Sequence, residues 1–345
     1  MRHTVTGHAG ALNFYAKPAA MLLALLLLAG SAVSCRSAGD DTPAADSSAE
    51  STTAAEDTGM KNGDIFELDG HVSEVVAPVR DNMINYATTL FGSIYDTYLK
   101  DGNHTVIVSV IPDKNYYLSQ TVSFEENDVP LADYAHLTSL VADGCASFAD
   151  YVDLFPHLTL NDYYYQDAHW KQENLNAAVS VLTGAFGLEY HGEYTASEWQ
   201  TPFVGSYSDE AAASDAQSDT LCYLMNDTLS AVTVTDYPEG TPVPGVLYNT
   251  DHPADKHTYD MFLSGVMPLQ VLESPNAATD RELILFRDSF GSSVAPLLCE
   301  VYAKITLVDL RYLSSAMLGD LITFDDQDVL FLYSTQILNT AMILK

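Results

Sequence analysis

Two short stretches of this chain hold side chains whose types and spacing suit nucleophilic chemistry. The first is Arg287-Asp288-Ser289-Phe290-Gly291, a turn-like cluster between an apolar run at 283–286 and a helical pattern at about 293–303. A second apolar run at 305–310 follows. Strand, tight turn, helix and strand read as a βαβ unit with parallel strands. Ser289 then falls at the carboxyl end of a strand and the start of a helix, where open α/β sheets place their chemistry. Backbone N–H groups near 289–291 and the positive helix end would stabilise an oxyanion there. The plainer reading is that Asp288 and Ser289 merely cap the helix, which is what such residues usually do.

A serine hydroxyl is a weak nucleophile until a base takes its proton, and the base needs a partner to fix its tautomer. Tyr163-Tyr-Tyr-Gln-Asp-Ala-His-Trp170 is the second stretch and offers both groups. In an extended segment Asp167 and His169 point to one side, with Trp170 packed beneath. A random Asp-x-His in a polar loop is more often ordinary surface. His157 and His191 flank the loop and invite a metal reading with His169, but no ligand spacing supports a metal. The pattern calls for no cofactor.

Several elements must position these groups. A strand at 104–111, closed by Pro112, follows one or two amphipathic helices at about 72–100. A helix at 131–148, a short strand at 151–155, the tyrosine-rich loop and a helix at about 172–188 come next. This alternation predicts an α/β fold with a mostly parallel sheet buried on both faces. Residues 190–258, rich in Gly, Ser, Asp, Pro and Thr, read as an irregular or antiparallel insertion over the sheet edge. Helix-like residues at 259–264 lead back to the βαβ unit, and a short helix at 316–323 precedes a last buried strand at 328–333.

Of the 345 residues, 47 are acidic and 14 basic, a formal charge of −33 that excludes nucleic acid as a partner. Arg2, His3, His8 and Lys17 precede an apolar core at 19–29, too short to span a bilayer comfortably. Small residues and Cys35 follow, so 1–35 resembles a bacterial lipoprotein signal ending at a lipidated cysteine, with Val33 departing from the usual pattern. The alternative is a secretory signal with a spare cysteine. Residues 36–62, mostly Ser, Thr, Ala, Asp and Glu, read as a flexible tether to a domain at 63–345. An extracytoplasmic, membrane-anchored chain follows. Cys145, Cys222 and Cys299 have no metal spacing, and sequence cannot choose a disulfide pair among them.

Tyr164 to Trp170, Leu283 to Gly291 and Val308-Asp-Leu-Arg-Tyr312 together resemble the DHHW protein family, related to the SGNH-hydrolase-like proteins of alginate O-acetylation. Ile111-Pro-Asp-Lys114 with Tyr116 or Tyr117, and Tyr259-Asp-Met-Phe-Leu-Ser-Gly265, add to the likeness, which spans about 70–335. It implies an SGNH-hydrolase-like, flavodoxin-like fold in which Asp167 orients, His169 is the base and Ser289 the nucleophile. Ala168 replaces the histidine that names the family, and Arg287 stands where SGNH enzymes carry Gly. Arg287, Asp288, Gly291, Lys114 and Tyr116 are then candidates for contacting substrate or oxyanion. The expected function is a cell-surface esterase or O-acyltransferase acting on envelope or extracellular polysaccharide. A non-catalytic glycan-binding or assembly lipoprotein with envelope partners is the alternative.

Overall fold

The computed structural model describes residues 59–203, 205–208, 217–255 and 257–345. The signal segment, Cys35 and most of the proposed tether lie outside the described residues. In chain order the elements are β1 (Ile65–Leu68), β2 (His71–Glu74), α1 (Asp81–Ile94), β3 (Val106–Ile111), α2 (Lys114–Leu118), α3 (Tyr134–Cys145), β4 (Asp150–Asp153) and α4 (Asn176–Ala185). Next come β5 (Thr195–Gln200), β6 (Leu221–Met225), α5 (Asp227–Ser230), β7 (Thr233–Asp236), β8 (Val243–Pro244) and β9 (Leu269–Glu273). The chain closes with β10 (Glu282–Arg287), α6 (Gly291–Leu298), β11 (Lys304–Val308), α7 (Leu318–Leu321), β12 (Asp328–Ser334) and α8 (Thr335–Leu338).

An eight-stranded sheet, order β4-β3-β12-β10-β11-β9-β7-β8, organises the molecule. β4, β3, β12, β10 and β11 are mutually parallel, and β9, β7 and β8 add on by antiparallel pairing. The mostly parallel α/β fold expected from the sequence is the fold observed. Its two faces are read directly from the strands. Val106, Val108, Val110, Ile284, Phe286, Val329 and Phe331 join the core under α1 and α3. Ile107, Ile111, Leu283, Leu285, Leu330 and Leu332 join the core under α4 and α6. The period of two explains this division, because successive side chains leave opposite faces.

The chain runs from β10 to β11 on one side, then crosses to β12 on the other. The carboxyl end of β10 is therefore a topological switch point, the usual place for a crevice.

Three expectations need correction. Residues 71–74 are a strand, not the start of a helix, because Asp69 and Gly70 both take positive φ and close a two-residue hairpin between β1 and β2. The helix after Ser289 ends at Leu298, since Pro296 lies inside it and tight turns follow through Tyr302. β9 is a strand where the sequence marks no element, because its Gln270 and Glu273 interrupt the apolar run. Within 190–258, β5 and β6 pair into a separate antiparallel ribbon, whereas β7 and β8 extend the main sheet at its edge.

Candidate active site

Ser289 sits in the turn between β10 and α6, partly open to solvent. That turn is fastened from within by Asp288, whose carboxylate accepts from Phe290 N at 3.0 Å and from Ser334 N at 2.7 Å. Gly291 has to be glycine here: a Cβ would lie 2.6 Å from the Arg287 Cβ. Opposite stands the Asp167–His169 loop, whose base is closed by a β-bridge between Tyr163 and Trp170. The Trp170 indole donates to Phe290 O at 3.1 Å and to Ser293 Oγ at 2.9 Å, so the two loops share one buried anchor.

The three side chains named from sequence meet in a row. His169 Nε2 lies 2.7 Å from Ser289 Oγ, and His169 Nδ1 lies 2.5 Å from Asp167 Oδ1. The segment is a tight bend rather than an extended strand. Asp167 Oδ1 also accepts from His169 N at 2.8 Å, which folds the pair together. Asp167 Oδ2 accepts from Ser206 N at 2.7 Å. Burial pushes the Asp167 carboxyl up, but the His169 ring and these backbone donors outweigh it and hold the group down at about 2. Asp167 is thus a carboxylate at neutral pH and fixes the proton on Nδ1, leaving Nε2 free to accept from the serine hydroxyl. The His169 side chain is 14% exposed, so the row opens to solvent at its serine end.

The other candidates play different parts. Lys114 is 1% exposed and donates to the carbonyls of Tyr164, Tyr165 and Asp167 at 2.9, 3.0 and 2.8 Å. It holds up the loop from below and presents no charge to the opening. Arg287 is also 1% exposed, because position 287 shares a sheet face with Leu283 and Leu285 and points inward. Its guanidinium donates to Gln270 Oε1 at 3.0 Å and stands 3.8 Å from Asp309, not against the Asp288 carboxylate. Phe290 N and Gly291 N are engaged by Asp288, the latter through its carbonyl at 3.1 Å. Among the described residues the Ser289 N–H is the amide of this turn without a hydrogen-bond partner. Tyr116 stands in an aromatic cluster with Tyr117, Tyr134 and Phe155, away from the row. His157 is exposed, and His191 lies 3.5 Å from Glu189 rather than near His169. Among the described residues no group of three His, Cys, Asp or Glu side chains could hold a metal ion, and Cys145, Cys222 and Cys299 are free thiols.

Two contributors escaped the sequence reading. The Tyr259 ring stacks flat on His169, centroids 3.9 Å apart and planes 7° from parallel, while its hydroxyl donates to Ser293 Oγ at 2.7 Å. Gly205 packs so closely that a Cβ would meet Gln166 O at 2.2 Å, and this closeness lets Ser206 N reach Asp167. Gly205 lies in irregular chain and Tyr259 in a 3-10 helix, Thr258–Met261, too short for periodicity to mark its role; only the Tyr259–Gly265 block, noted as similar to the family, gives a signal.

No protein-family model matches the chain, and no curated protein does. Among solved structures it is similar to a DHHW family protein from Eubacterium siraeum, at 20% identity and a TM-score of 0.63, covering 81% of this chain and 93% of that one. It is also similar to Bacillus cereus PatB1, solved with a sulfonyl adduct, at 18% identity and a TM-score of 0.61, covering 79% of this chain and 95% of PatB1. The fold implied by the motifs is the fold these proteins share with the chain.

Proposed function

We propose that the chain is a serine-dependent acyl esterase or O-acyltransferase acting on ester groups of an envelope or extracellular polysaccharide. The observation that carries this reading is the row from Ser289 Oγ through His169 to the Asp167 carboxylate. His169 Nε2 would take the hydroxyl proton as Ser289 Oγ attacks the ester carbonyl, and the Ser289 N–H would face the oxyanion. The imidazolium, stabilised by Asp167, would return its proton to the departing alcohol, leaving an acyl-serine. Water would complete hydrolysis, and a sugar hydroxyl would complete transfer, with His169 again the base. The family likeness of the motifs supports acyl chemistry on a glycan. So does the sulfonyl adduct of PatB1, a class of product that activated hydroxyl nucleophiles form.

The test is to treat the full-length chain with a fluorophosphonate and phenylmethanesulfonyl fluoride and to follow aryl acetate hydrolysis. One adduct per chain is expected, absent from Ser289→Ala, with turnover reduced ~10³-fold or more. No adduct and no serine-dependent turnover would replace this reading with that of a non-catalytic glycan-binding or assembly protein. The anchored location rests on Cys35. Cells fed an alkynyl fatty acid should label the wild-type chain and not Cys35→Ser, and equal labelling would remove the lipid-anchor assignment.

A further inference from the structure

Farther along the rim lies another opening, a cleft of about 500 Å³ between α2 and the turn that follows β4. Its aromatic side is Tyr116, Tyr117 and Phe155, and its polar side includes Gln120, Thr121 and Asn161. No lining side chain carries a charge, although the chain as a whole carries −33. Tyr116 stays half-exposed, and neither its hydroxyl nor the Asn161 carboxamide has a hydrogen-bond partner among the described residues. Gln120 spends only its Nε2, on Tyr116 O at 3.2 Å, and so keeps a free acceptor.

Aromatic rings beside the Tyr116 hydroxyl, the Asn161 carboxamide and the Gln120 amide oxygen match a neutral sugar, whose C–H faces stack on rings while its hydroxyls both donate and accept. An anion would be repelled by the surrounding field, and a cation would find no carboxylate in the lining. The position is also telling. β3 and β4 stand two and three strands from β10, so at about 4.8 Å per strand their carboxyl ends lie about 10–14 Å from that of β10 along the same rim. The Tyr117 ring meets Tyr163, at the base of the Asp167–His169 loop, at 5.7 Å between centroids. One wall of the cleft is therefore continuous with the loop that carries the row.

We propose that this cleft is a saccharide subsite, holding neutral sugar units of a glycan whose ester lies at Ser289. The link to catalysis rests on the acyl-transfer reading, but the binding itself does not. Accordingly the test uses the full-length Ser289→Ala chain and calorimetry with N-acetylchitohexaose, cellohexaose and polygalacturonate. At least one neutral hexamer should bind, and polygalacturonate should not. Tyr116→Ala should weaken that binding about tenfold, and Tyr116→Phe, which keeps the ring, should weaken it less. Asn161→Ala is exposed and should fold normally, so a loss there confirms the site even where Tyr116→Ala disturbs its aromatic neighbours. Binding of neither neutral hexamer, equal binding of polygalacturonate, or unchanged binding in both Tyr116→Ala and Asn161→Ala would overturn the subsite. Serine labelling that fails while hexamer binding persists would sink the acyl chemistry and leave the subsite standing.

Discussion

His169 is held on three sides, by Asp167 at Nδ1, by the Tyr259 face and by Phe290, whose ring centroid is 4.7 Å away. Its freedom is confined to the direction of Ser289, which is what a base that must take and return one proton needs. Lys114 is the residue on which that placement hangs. An ammonium has three donors and this one meets three carbonyls, yet burial lowers its pKa to about 7 against the pull of Asp167 and Asp219. The sign follows from proton counting. Between about 7 and the ordinary lysine value the unfolded chain keeps a proton that the folded chain loses, so this group's contribution to stability rises with pH through that window. It is fully present above the window and lost as pH falls through about 7. Urea midpoints measured from pH 6 to 10 should therefore climb more steeply in the wild type than in Lys114→Met; parallel profiles would exclude a depressed Lys114. The candidate residues were legible in part for a plain reason. Asp167, His169 and Ser289 have chemical types that point to a role, but Arg287 has only a charge beside a serine. Its direction follows from the strand's alternation, which turns it inward under α6.

At the scale of elements, strands buried on both faces announce themselves. β3, β10 and β12 are nearly unbroken apolar runs, and the sequence placed all three. β9 and β7 carry polar residues and β8 is only Val243–Pro244, so pairing with a neighbour rather than an unbroken apolar run makes them strands. The same holds for the hairpin of β1 and β2, which reaches the Asp167–His169 loop because Val72 N donates to Tyr165 O at 2.8 Å and the His71 ring lies tilted against Tyr165, centroids 4.3 Å apart. Irregular chain does similar work at Gly205. The Gly205→Ala side chain would meet backbone rather than a movable side chain, so Ser206 N must retreat from Asp167 Oδ2. A hydrogen bond to a charged group contributes about 1.5–3 kcal/mol. If most of it supports the orientation of the pair, fluorophosphonate labelling should slow about tenfold or more in Gly205→Ala. A rate within twofold of wild type would show that the Ser206 contact is dispensable.

For the whole molecule, the charge of −33 and the burial of Arg287 and Lys114 bear together on the substrate. Arg287 and Lys114 are each 1% exposed and engaged by internal acceptors, so neither offers a local cation to an anionic glycan. Approach is then governed by the field of the acidic surface, which acts over about 30 Å at 0.01 M salt and about 8 Å at 0.15 M. For an ester on an acidic polysaccharide, such as acetylated polygalacturonate, kcat/KM should rise several-fold between those salt concentrations as repulsion is screened. For a neutral aryl acetate it should stay flat. The neutral substrate serves as the internal control, because any effect of salt on the Ser289–His169–Asp167 row itself would move both. A fall with salt for the acidic ester alone would mean that a cation meets the substrate in the opening. That result would contradict the inward placement of Arg287 and Lys114 and the neutral cleft at Tyr116 together.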